Sequence, residues 1–174
     1  MFPSTSQSPP DIIRAEIFNL LVLLFALFRK PASCVMRSAR PDLLAELIAV
    51  DCLQDSVILG LSRLADSRTD AWSFRQLIKD PEVKKAIADT ASLQELLAKY
   101  EIAVKPVKKH QRHERIAHLA KNPQGLPSVY AKELEALTRQ AVQVLDLALG
   151  EKQEYVLRVG SQEAPINLRD ELQM

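Results

Sequence analysis

The sequence predicts an all-α protein, an up-and-down bundle of about five helices with a short extended C-terminal tail. Three observations predict it. Only 4 glycines and 5% aromatic residues occur among 174 positions, too few for a turn-rich β protein. Apolar residues recur three and four positions apart over long segments, the spacing of one helix face. The gaps between those segments hold prolines, a glycine or helix-capping residues. The length suits one domain with a sizeable core and is too short for two. An apolar share of 47% beside a charged share of 26% is ordinary for a globular chain.

Residues 1–10, "MFPSTSQSPP", form a polar, proline-rich N-terminal tail whose composition is that of a disordered segment. The bundle is expected over 11–149. Its first helix runs from near Asp11 to about Arg29 and is apolar on nearly every side, which calls for burial against several neighbours. The second starts at "RPDLLAEL", with Pro41 in the first turn, and continues to about Asp66. Leu43, Leu47, Val50, Val57, Leu61 and Leu64 make its stripe. "SRTDAWSF" reads as a loop or short turn.

Asp80, followed by Pro81 and Glu82, caps a short third helix. "SLQELLAKY" has the capping-box spacing from Ser92 to Glu95 ahead of a fourth, which Pro106 interrupts or kinks. A further helical segment spans about Lys105 to Lys121 before the break at "NPQGLP". Ser128 caps a last helix over Val129–Leu149, which stops at Gly150. Residues 150–174 form the tail, where Tyr155, Leu157 and Val159 alternate briefly, as in one short strand or an extended arm.

Charge and cysteines exclude several classes. A formal net charge of +1 carries no global affinity for nucleic acid, so any anion site has to be a local cluster. Cys34 and Cys52 form neither a CxxC nor a zinc-ligand spacing, which fits a reduced intracellular compartment. The most apolar run, "IFNLLVLLFALF" at 17–28, is a dozen residues and contains Asn19, against the ~20 that a membrane span needs. "PASC" before Cys34 faintly resembles a lipoprotein cleavage site. Acidic Asp11 and Glu16 precede the apolar run, however, Arg29 and Lys30 follow it, and a buried core helix explains it better. The expected location is cytoplasmic, with no membrane partner.

One segment departs from a plain amphipathic helix. "RHERIAHL", Arg112 to Leu119, holds two arginines and two of the three histidines of the chain. On a helical wheel with Arg112 at zero, Arg115 falls at about 300° and His118 at about 240°. Lys108 and Gln111 join them in one arc of roughly 120°. Ile116, Ala117 and Ala120 take the other side, and the two alanines allow close helix approach.

An arginine fork grips two phosphate oxygens and keeps its charge, so it can stabilise a crowded phosphate transition state. An imidazole titrates near neutrality and can take a proton from a ribose 2′-hydroxyl or give one to a leaving oxygen. Arg112 and His118 are thus candidate catalytic residues, with Arg115, Lys108 and Gln111 as phosphate contacts. A solvated basic face would show the same wheel. A metal site on His110 and His113 has no Cys or Asp to complete it, and neither a metal nor a cofactor is expected.

At these residues the sequence resembles the HEPN superfamily of helical-bundle proteins. The signature of that superfamily is an arginine, often followed by a polar residue, then a histidine after four to six others. Here His113 follows Arg112, and five residues separate Arg112 from His118. "RIAH" also looks like the form found in the branch linked to phage abortive infection. "DSVILGLSRLAD", residues 55–66, resembles the long second helix of that branch.

The resemblance covers 11–149 and implies a homodimer whose paired motif helices line a basic cleft. It further implies metal-free ribonuclease activity in toxin–antitoxin or antiviral defence systems. Arg112 and His118 carry over as the catalytic pair, and His113 as a supporting residue beside the arginine. "HLAK" lacks the tyrosine of the branch modified by a nucleotidyltransferase antitoxin, so that antitoxin is not the expected partner. The implied partners are RNA, a second copy and an antitoxin or neighbouring-gene protein. The alternative is a catalytically silent HEPN-like module that binds nucleotide, RNA or protein through the same cleft.

Overall fold

A computed structural model describes residues 8–29, 40–87, 89–108, 131–158 and 165–174. Helix α1, Pro9–Phe28, opens with proline at its first positions, where a missing N–H costs nothing. It buries Ile13, Ile17, Leu20, Leu21, Leu24 and Leu27 at three- and four-residue spacing. Phe18, Val22 and Phe25 on its other sides are half-buried, so the apolar girdle expected from the sequence is largely used.

Helix α2, Arg40–Leu64, runs antiparallel to α1: Glu16 near the start of α1 meets Arg63 near the end of α2 at 3.4 Å. Gly60 permits their close approach. A Cβ there would lie 2.6 Å from Leu20 Cδ2, too near for any side chain without a shift. The long stripe expected on α2 is only half realised. Val57, Ile58, Leu61 and Leu64 are buried, whereas Leu47 is 48% exposed beside exposed Leu44 and Ile48.

The loop after α2 contains a helix that the sequence reading missed, α3, Phe74–Leu77, which puts Phe74 and Leu77 into the core. Helix α4, Pro81–Ala86, is capped as expected, with the Asp80 carboxylate accepting from the N–H groups of Glu82 and Val83. Helix α5, Thr90–Val107, starts a turn earlier than expected, because Asp89 caps it by accepting from Ser92 N–H. It passes through Pro106 in its last turn without ending there. Leu93, Leu97, Tyr100, Val104 and Val107 form its buried face.

Helix α6, Ala131–Leu149, packs against α1, α2 and α5 and is the central post of the bundle. Gly150 ends it with φ 71°, the left-handed conformation that glycine adopts most easily. The described residues thus form four long helices and three short ones, an all-α bundle. None of these helices is long and apolar enough to cross a membrane.

Residues beyond 150 are more than an extended tail. Strands β1, Val156–Leu157, and β2, Ile166–Asn167, pair antiparallel, Val156 with Asn167 and Leu157 with Ile166. Helix α7, Leu168–Glu171, follows, capped by the Asn167 side chain. Tyr155, Leu168 and Leu172 are buried in the bundle core.

A polar cluster fastens this segment. Arg169 Nη1 donates to both carboxylate oxygens of Asp146, at 3.1 and 2.8 Å, and to the Gln153 carbonyl at 2.9 Å. Arg29 pairs with Glu171 at 3.1 Å, and Arg139 donates to the Gln173 carbonyl.

Candidate functional site

Of the arc read from the sequence, Lys108 belongs to the described residues. Gln111, Arg112, His113, Arg115 and His118 lie outside them, as do Ala117 and Ala120 and the Cys34 and Ser128 positions. Lys108 is the C-cap of α5, half-buried, and its neighbours define the surroundings of the first charge in the arc.

The positive field of Lys108 reaches Asp66, just past the end of α2. Its side chain is 7% exposed and accepts from the Arg68 backbone N–H at 3.1 Å and from Arg68 Nε at 3.2 Å. Burial pushes the carboxyl up. The backbone and guanidinium bonds from Arg68, with the positive field of Lys108, outweigh that and hold it below the ordinary carboxylate value. Asp66 and Arg68 are two residues apart in an unpatterned loop, and the fold brings the field of Lys108, at the end of α5, to bear on that carboxylate.

Tyr100 ties the same two elements together. Its hydroxyl donates to the Leu61 carbonyl at 2.9 Å, and its ring meets Phe74 edge-on with centroids 5.4 Å apart. Burial, with the nearby Glu16 carboxylate, raises its hydroxyl well above the ordinary value. It stays neutral and serves as a fixed strut, not as an acid or base.

Next to Asp66 opens a cleft of about 400 Å³ between the start of α1, the end of α2 and the following loop. Ile13 and Leu64 belong to its apolar lining, and Glu16, Arg63, Asp66, Arg68, Asp70 and Trp72 to its polar and aromatic part. Trp72 is 51% exposed. The residues of the cleft come from α1, α2 and the "SRTDAWSF" loop, and no spacing along the chain brings them together.

Among the described residues no group of three or more His, Cys, Asp or Glu side chains is arranged to hold a metal ion. Cys52 is free and exposed. Chemically, the described part of this end of the bundle gathers carboxylates, guanidiniums and an indole around one cleft, with the Lys108 ammonium at the end of α5. No protein-family model, curated protein or solved structure matches the chain.

Proposed function

We propose that the chain is a metal-independent endoribonuclease of the toxin or abortive-infection type, acting at a basic cleft formed between two copies. The observation that carries this reading is the Arg112–His118 pair at the spacing of the HEPN signature, late in an all-helical chain. The helical bundle supports it, as does the position of Lys108, which begins the arc at the end of α5, a helix tied to α2 by Tyr100.

In this reading Arg112 and Arg115 hold the scissile phosphate, with Lys108 and Gln111 along the strand and His113 supporting the arginine. The His118 imidazole of one copy takes the 2′-hydroxyl proton as that oxygen attacks phosphorus. The imidazole of the second copy protonates the departing 5′-oxygen, so each step has its own proton carrier. The products are a 2′,3′-cyclic phosphate and a 5′-hydroxyl. The reaction is placed in the cytoplasm, with an antitoxin or neighbouring-gene protein as its restraint.

The carboxylates of Glu16, Asp66 and Asp70 gathered in the nearby cleft favour a second reading, a catalytically silent module that binds nucleotide, RNA or protein. Product analysis separates the two. Purified protein given RNA should yield cyclic-phosphate ends, and a substrate with deoxyribose at the cut site should be inert. Intact RNA after prolonged incubation would leave the silent module. Light scattering should give a dimer at micromolar concentration, and a monomer there would remove the two-copy mechanism.

A further inference from the structure

We propose that the cleft walled by Trp72 binds a nucleobase, with the indole as stacking surface and the rim carboxylates and guanidiniums as hydrogen-bonding groups. The inference rests on the ribonuclease reading only for the source of the base, a strand of RNA.

Three features of the cleft point to this chemistry. The first is its size. About 400 Å³ lies within the roughly 300–1,000 Å³ of small-molecule sites and is enough for one base and its sugar.

The second is charge. Arg63 and Arg68 face Glu16, Asp66 and Asp70 across the lining, and Lys108 acts on Asp66 from the adjoining helix end. Arg63 is bonded to Glu16 at 3.4 Å and Arg68 to Asp66 at 3.1 Å. The lining thus carries two positive and three negative groups. Such a cleft has little attraction for phosphate but offers donors and acceptors to a neutral planar group, the requirement of a base edge. Phosphates would be left to the arc beyond Lys108.

The third is the aromatic wall. Trp72 is 51% exposed and borders a second depression of about 380 Å³ with Gln76 and Lys79. The loop that carries it is bonded at Arg68 and at Ser73. The carbonyl of buried Ser73 accepts from Gln76 and Leu77 N–H groups at 3.0 Å, and Gln76 Nε2 donates to the Arg68 carbonyl at 3.3 Å. Phe74 next to it is fully buried. An exposed ring on so fixed a turn is a platform that loses little freedom when a base stacks on it.

Trp72 is the only tryptophan of the chain, so tryptophan fluorescence reports on the surroundings of this ring. Full-length protein is titrated with each of the four ribonucleoside monophosphates, with ribose 5-phosphate, and with a short 2′-O-methyl oligonucleotide that cannot be cut by 2′-hydroxyl attack. Saturable quenching by at least one nucleotide, with ribose 5-phosphate inert, is expected. An oligonucleotide that competes with the nucleotide assigns the base to an RNA strand; failure to compete assigns it to a free nucleotide, and either keeps the base site. No quenching by any nucleotide, or equal quenching by ribose 5-phosphate, overturns the proposal.

Trp72→Ala should weaken binding of the quenching ligand, carried as a labelled nucleotide or oligonucleotide, by about five- to a hundred-fold, with only a modest loss of thermal stability because the side chain is 51% exposed. Trp72→Phe should remain within a few-fold of wild type, and equal loss in both variants would speak against stacking. The outcomes separate from those of the ribonuclease reading. Quenching without cleavage rejects the enzyme and keeps the base site, and cleavage without quenching does the reverse.

Discussion

Replacing Arg169 by leucine tests whether residues 150–174 belong to the bundle or merely lie on it. Arg169 is 6% exposed, and its Nη1 donates to two oxygens of Asp146 and to the Gln153 carbonyl. Leucine fills part of the space but leaves the Asp146 carboxylate with the Gln153 N–H at 2.9 Å as its remaining donor among the described residues. Removing one partner of a buried ion pair costs ~3–5 kcal/mol. The Asp146 side chain is 19% exposed, so water can approach it and the lower end applies, about 3 kcal/mol. In a chain of this size that is a fall of about 6–12 °C in Tm, at ~2–4 °C per kcal/mol. Urea and thermal unfolding of the full chain measure it. Asp146→Leu with Arg169→Leu should regain most of the loss, because no charge is then stranded. A single-variant cost under about 1 kcal/mol, or a double variant equal to the sum of the singles, refutes the clamp.

Three further outcomes follow from the same contacts. Tyr100→Phe should cost about 1 kcal/mol, since it removes one buried bond while the Leu61 carbonyl keeps its helical donor Ala65 N–H; no change in Tm would mean the strut carries nothing. The lowered folded-state value of Asp66 means that its contribution is complete above the ordinary carboxylate range and is lost as pH falls through that lowered value. Asp66→Asn should therefore be less stable at neutral pH and show a flatter acid limb, and an acid limb as steep as wild type would contradict the assignment. Lys108→Ala should reduce the salt slope of RNA binding by about 0.7 per lost phosphate contact, whereas an unchanged slope would leave Lys108 as the counter-charge of Asp66 alone.

The helical elements were legible where local chemistry decides them. Asp80 before Pro81 caps α4 as read, and the apolar run in α1 placed that helix to within two residues of its ends. Where two local signals competed, the nearer apolar run misled. Ser92 and Glu95 have capping-box spacing, yet Asp89 is the cap and Ser92 its donor partner, so α5 begins a turn earlier. Pro106 sits in the last turn, where the loss of one backbone donor does not stop a helix already held by Val104 and Val107 in the core. Single-turn α3 shows no periodicity, and Phe74 entered the core unannounced.

Tertiary pairing explains the rest. The first half of α2 carries a helical stripe that the bundle does not bury, because periodicity marks a face without saying what lies against it. Arg169 in a polar tail reads as solvated. Asp146, 23 residues earlier, makes it a buried clamp. The same limit applies to the candidate site, where the link from Lys108 to Asp66 crosses from α5 to the end of α2 and no spacing encodes it. The spacing of Arg112 and His118 was legible from the sequence, but both lie outside the described residues.

Whether Arg112 and His118 cut RNA is decided by the cleavage rate of His118→Ala beside wild type, both in EDTA. Wild type should cleave in EDTA, with a rate that responds to pH in the imidazole range. His118→Ala should be slower by ~10²–10⁴ while oligonucleotide binding survives, since an acid–base group is lost and the phosphate contacts remain. Arg112→Ala should lose at least as much, together with some binding. Equal rates for wild type and His118→Ala in preparations free of contaminating nuclease would contradict the account and return "RHERIAHL" to an ordinary basic helix face.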